Sequence, residues 1–125
     1  MYIPTPYFKN IPGIGDLEMD HIFLEDNYPI LFICKNEEEK LYLCLCRTVV
    51  SEQKWLISEI SLQTLEDLIY NNVSIYDAFK ANNHIYIIHW HKTNQYKYDI
   101  IPTANISDFD LPDKTIFLDN KEDLH

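Results

Sequence analysis

The sequence predicts an α+β domain: an antiparallel meander of about four strands, two short helices, then a C-terminal hairpin. Three observations lead there. Successive strand-like runs precede residue 61, the last of them alternating Trp55, Ile57 and Glu59 against Leu56, Ser58 and Ile60. The period turns helical between residues 61 and 80, and two more strand-like runs then flank the polar stretch "KTNQ" at 92–95. Strands and helices do not alternate, which argues against a doubly wound nucleotide-binding sheet.

Residues 1–16 carry three of the six prolines and both glycines, and are expected to be an irregular arm. The strands follow as "LEMDHIFLED" (17–26), "YPILFICKN" (28–36), "KLYLCLCRTV" (40–49) and "KWLISEIS" (54–61), with the acidic "NEEEK" as an exposed turn. In the first helix Leu62, Leu65, Leu68 and Ile69 form one apolar stripe. Ser61 caps its start, and Asn71 or Asn72 ends it in a left-handed conformation. Ser74 caps the second, with Asp77 placed for a capping box and Ile75, Ala78 and Phe79 facing inward. "HIYIIHWH" (84–91) and "YKYDII" (96–101) make the hairpin, and "TIFL" (115–118) is a further short strand. One domain is expected over 17–118, with 119–125 an acidic, mobile tail.

The segments Tyr28-Pro29-Ile30-Leu31-Phe32, Asn36, Tyr42-Leu43, Trp55-Leu56, Ile60-Ser61, Leu65, Leu68 and "SIYDAF" (74–79) resemble a family of short bacterial domains of unknown function. The resemblance covers about residues 17–80 and rests on apolar and capping positions. It implies a Pro-Leu-Phe hairpin, a Trp-Leu strand ending in serine and a short helix ending in Asp-Ala-Phe. It implies no activity and assigns no functional residue.

A net charge of −10, with Arg47 the single arginine and nine scattered lysines, leaves no basic stripe to displace counterions from nucleic acid. The same field repels anionic membranes and favours a protein partner with a basic surface. No apolar run approaches the roughly 18 residues of a spanning helix. The first residues lack the basic start and apolar run of a signal peptide. Cys34, Cys44 and Cys46, odd in number and set in apolar runs, read as reduced core thiols. A cytoplasmic protein is therefore expected. The many Ile, Asn, Lys and Tyr residues point to a bacterial or phage source.

Candidate chemistry concentrates in "HIYIIHWHKT" (84–93). Across a turn at Thr93 and Asn94, His91 would oppose Tyr96, His89 would oppose Tyr98 and Ile87 would oppose Ile100. Tyr86, His89, Trp90, His91, Tyr96, Lys97 and Tyr98 then form a candidate binding patch. His89 and His91 could hold a metal with one of Cys44 or Cys46. Both thiols together are too far apart along a strand, about 6.6 Å against the roughly 3.8 Å that one tetrahedral zinc requires. The expectation is a hairpin end with no metal and no cofactor.

Asp16, Glu18 and Asp20, and again Asp108, Asp110 and Asp113, read as solvated faces that lack the spacing of a calcium loop. "GIG" (13–15) is followed by neither the lysine nor the helix cap of a phosphate loop, and no serine sits on a strand-to-helix elbow. A non-enzyme is expected. Trp55, Trp90, Tyr86, Tyr96, Tyr98, Tyr28 and Tyr7 exceed what a small core hides, and would dock a partner. The leading expectation is thus a non-catalytic acidic protein-binding module acting by stoichiometric association, of the antitoxin, immunity or counter-defence type. A small-ligand or nucleotide-binding protein and a metal-dependent hydrolase on His89 and His91 are the alternatives, and pairing of copies through a sheet edge remains open.

Overall fold

The computed structural model describes residues 7–49, 52–91, 95–106 and 111–124. Seven strands, β1 (Phe8–Ile11), β2 (Gly15–Glu25), β3 (Pro29–Lys35), β4 (Leu41–Val49), β5 (Glu52–Ile60), β6 (His84–His91) and β7 (Gln95–Pro102), form one antiparallel sheet in sequence order. The sheet coils into a nearly closed barrel. Helices α1 (Leu62–Ile69) and α2 (Ile75–Lys80) lie between β5 and β6.

This corrects the α+β expectation, for the fold is mostly β. The arm contributes β1, whose Phe8 pairs with Leu17 of β2, and Gly13 and Gly15 turn between them at positive φ. The C-terminal hairpin is not separate either: Leu56 pairs with Ile87 and Trp55 with Ile88, so β6 continues the meander directly from β5. The reason is two-sided hydrophobicity. Central strands such as β3 are buried on both faces, so each needs cover above, cover below and a partner along each edge.

Two cores result. On one face Leu31, Ile33, Leu43, Leu56 and Ile87 pack under Leu68 of α1 and Ile75, Ala78 and Phe79 of α2, with Leu111, Ile116 and Leu118 closing over them. On the other, Phe32, Cys44, Trp55, Ile57 and Ile88 meet Phe8, Ile11 and Leu17 as β1 and β2 curl inward. Phe8 packs edge-on against Trp55 with ring centroids 5.4 Å apart. At the seam, the Tyr98 hydroxyl donates to the Lys9 carbonyl at 3.3 Å, so a side chain from β7 reaches β1 where no backbone ladder joins them.

Both helices follow their sequence signals. Ser61 Oγ accepts from the Thr64 N–H and Ser74 Oγ from the Asp77 N–H, each at 3.1 Å. Asn71 ends α1 at φ 60°. The Asn72 and Asn71 N–H groups bond back to the Asp67 and Leu68 carbonyls, which closes the last turn as a Schellman motif. The expected strand at 115–118 does not form. Asp113 Oδ1 accepts from both the Thr115 N–H and its hydroxyl, and this local turn takes the backbone out of extension. Leu118–Leu124 then winds as a 3-10 segment, with Leu124 packed against the first core.

Ser74 and Ser58 are both fully buried, yet differ in their bonding. Ser74 holds a helix start, whereas the Ser58 hydroxyl has no hydrogen-bond partner among the described residues. Ser74→Ala is therefore expected to cost about 1–2 kcal/mol in denaturant unfolding. Ser58→Ala is expected to stay within about 0.5 kcal/mol of the parent or exceed it, because it removes a desolvated group that nothing compensates.

Candidate binding surface

The hairpin assigned to the candidate patch forms, but one residue out of the expected register. His91 pairs with Gln95, Trp90 with Tyr96, His89 with Lys97 and Ile88 with Tyr98. A one-residue slip moves every side chain of a strand to the other face. What selects the observed register is the pairing of Ile85 with Ile101, both packed in the first core, and of Ile88 with Tyr98, both in the second.

The slip re-sorts the patch over the two faces, bringing Tyr98 to the face of Tyr86 and Lys97 to that of His89. Tyr86 and Tyr98 turn toward the second core, where they line a hollow of about 210 Å³ with Ile11, Pro12 and Ile100 beneath the β1–β2 turn. His89 shares the opposite face with Ile85 and Ile87, and its Nε2 lies 3.7 Å from Asp99 Oδ2. Lys97 is exposed. The side chains of Trp90, His91 and Tyr96 fall outside the described part of the structure, and with them half of the histidine pair weighed for a metal. Cys44 and Cys46 belong to the second core, so the structure does not bring His89 together with either thiol.

Of the aromatic surplus, Tyr86 and Tyr98 are half-buried and Tyr7 and Tyr28 exposed. Trp55 is buried with its Nε1, which has no partner among the described residues, and Tyr42 is buried beside it in the same core. Burial, then the carboxylate of Glu59, then Tyr86 and Glu38, push the Tyr42 phenol up to about 12. All three thiols are buried and unbridged, as their apolar context indicated. Burial raises the Cys44 thiol well above its ordinary range, and a hydrogen bond with Cys34 adds to this. Of the acidic runs, Asp16 accepts the Asn10 N–H at 2.8 Å, Asp113 is occupied by Thr115, and Asp108 and Asp110 lie outside the described residues.

What the residue pattern did not identify is the outer arc of α1. Of the stripe expected to face inward, only Leu68 is buried; Leu62 is 75% and Ile69 49% exposed, and Tyr70 beside them is 69% exposed. At 100° per residue these three, with Glu66 between them, form one continuous solvent-facing arc. Hollows flank it at both ends. One of about 390 Å³ runs from Leu62 to Lys40, Leu41 and Glu59. The other, about 540 Å³, lies between β2, Leu65 and Ile69 of α1, and Leu118.

Two consequences can be measured. The folded state holds the Tyr42 proton more tightly than the unfolded chain, whose tyrosines titrate near 10. Stability is thus intact below pH 10 and falls as pH rises from about 10 to about 12. Tyr42→Phe should flatten that fall in alkaline unfolding curves. A thiol-specific colorimetric reagent should label none of Cys34, Cys44 and Cys46 in the native protein within minutes, and all three after denaturation.

Among the described residues no helix is long and apolar enough to cross a membrane. No curated protein and no solved structure matches the chain. The family of unknown function DUF6575 matches residues 6–124, extending the resemblance seen over 17–80 to nearly the whole sequence, and the chain belongs to that family.

Proposed function

We propose that the protein is a non-catalytic binding module that associates stoichiometrically with a protein bearing a basic surface. The observation that carries this reading is the arc of Leu62, Ile69 and Tyr70. Three large apolar side chains stand in water on one helix, with Glu66 among them, in a chain of net charge −10. Large apolar residues gathered on one rigid element favour an interaction site over chance exposure. Surrounding carboxylates speed encounter with a cationic partner and disfavour anionic ones. Association of the antitoxin, immunity or counter-defence type, in a bacterial or phage setting, would then act by covering the partner's basic surface. The buried, reduced thiols fit a reducing compartment such as the cytoplasm.

The test is affinity capture of the tagged chain from its source cells, followed by calorimetry with the purified partner. A one-to-one complex whose affinity falls at least about tenfold on Leu62→Asp or Ile69→Asp, and falls again with added salt, is expected. Variants that keep native unfolding curves while leaving affinity and its salt dependence unchanged would overturn the reading.

A further inference from the structure

The hollow of about 540 Å³ between β2 and α1 is built by the backbone of β2. The β2–β3 pairing shifts three times, and two of the shifts are on β2: Met19 pairs with Cys34 and His21 with Ile33, then Ile22 with Phe32 and Leu24 with Leu31. Asp20 and Phe23 are the residues without a cross-strand partner, one at each bulge. Both line the hollow, as does His21, which packs edge-on against Phe23 at 4.9 Å. Bulges bend a strand and re-aim side chains, and they recur beside functional sites. Here the two lie beside the hollow, at whose base Ile33 is fully buried.

Floor and rim differ in character. Ile33, Leu65 and Leu118 supply an apolar floor, and Ile69 stands half-exposed at the mouth. Exposed Asp20 on β2 lines the hollow, and the exposed carboxylates Glu66 and Asp119 follow the lining residues Leu65 and Leu118 in the chain, while the Lys121 ammonium donates to the Leu118 carbonyl at 3.4 Å. The Asp119 N–H is held by Asn71 Oδ1 at 3.1 Å, which ties this segment to the end of α1. No lysine or arginine lines the hollow. A largely apolar hollow of this size with Asp20 in its lining, in a chain of net charge −10, matches one large apolar side chain carried between cationic neighbours.

Resting on the binding reading above, we infer that this hollow is the anchor socket for a single tryptophan, phenylalanine or leucine of the partner protein, flanked in that partner by lysine or arginine. The anchor enters between Phe23 and Ile69 onto Leu65 and Leu118, and its cationic neighbours meet Asp20, Glu66 and Asp119. The exposed arc of α1 continues the contact beyond the socket.

The experiment is amide NMR of the full chain titrated with the synthetic peptide acetyl-Ala-Lys-Lys-Trp-Lys-Lys-Ala-amide. Saturable shifts confined to residues 19–24, α1 and 118–119 are expected. Affinity should drop at least about tenfold when the tryptophan is replaced by alanine or the lysines by glutamate, and several-fold in Asp20→Asn combined with Glu66→Gln. Shifts at β6 and β7 instead, or an alanine peptide that binds equally, would overturn the socket. So would N-acetyl-tryptophan amide binding as tightly as the peptide, which would mark a small-ligand site. If the captured partner still depends on Leu62 while the socket shows no response, the anchor assignment falls and the binding module stands. If the peptide binds as expected but no protein partner is captured, the socket stands and the stoichiometric reading falls.

Discussion

The structure depends on strands that are apolar on both faces. β3 exposes little on either side, and β4 and β5 place Leu43, Leu45 and Leu56 on one face and Cys44, Cys46 and Trp55 on the other. A sheet of such strands cannot leave one face to water, as an ordinary antiparallel meander does. One side is covered by α1, α2 and the C-terminal segment. The other is covered by the sheet itself, which coils until Phe8 and Ile11 of β1 pack onto Phe32, Trp55 and Ile57. Near-closure of the barrel is the geometric answer to that second face, and it absorbs aromatic side chains that would otherwise dress the surface.

Covering the first face with so few helical residues has a consequence. Helices of eight and six residues offer little area. α1 therefore turns Leu68 down and leaves Leu62 and Ile69 outside, while the bulged β2 borders a hollow above the buried Ile33. The exposed apolar arc of α1 thus arises from the packing of the first core, away from the hairpin that holds the histidines. Its acidic surroundings need no special arrangement in a chain with twice as many acidic as basic side chains, 20 against 10.

Internal polar groups sort by whether a local partner exists. Ser61, Ser74, Asn36 and Asp113 each bond to backbone groups within a few residues, so their roles can be read from spacing alone. Ser58 and Trp55 Nε1 sit in long-range cores, where side chains from distant strands decide whether a donor is met. Desolvation in the same core holds Tyr42 and Cys44 protonated and takes the thiols out of chemistry.

The sequence by itself determined the local elements: six of the seven strands, both helices with their serine caps, a left-handed end of α1 at Asn71 or Asn72, and the burial of the cysteines. Each follows from periodicity or from bonds that close within a turn. Tertiary structure decided the rest. Whether the arm at 7–11 becomes β1, and whether β6 pairs with β5, depend on contacts between residues far apart in the chain, which no short window contains. The register of β6 on β7 was decided by a single-residue difference in loop length, which the turn residues left open and the two cores settled through Ile101 and Tyr98. That one step exchanged the β7 members of the expected patch, putting Tyr98 on the face of Tyr86 and Lys97 on the face of His89. Which side of α1 meets water was fixed only when the helix lay down on the sheet, because a stripe about 120° wide fits more than one docking angle.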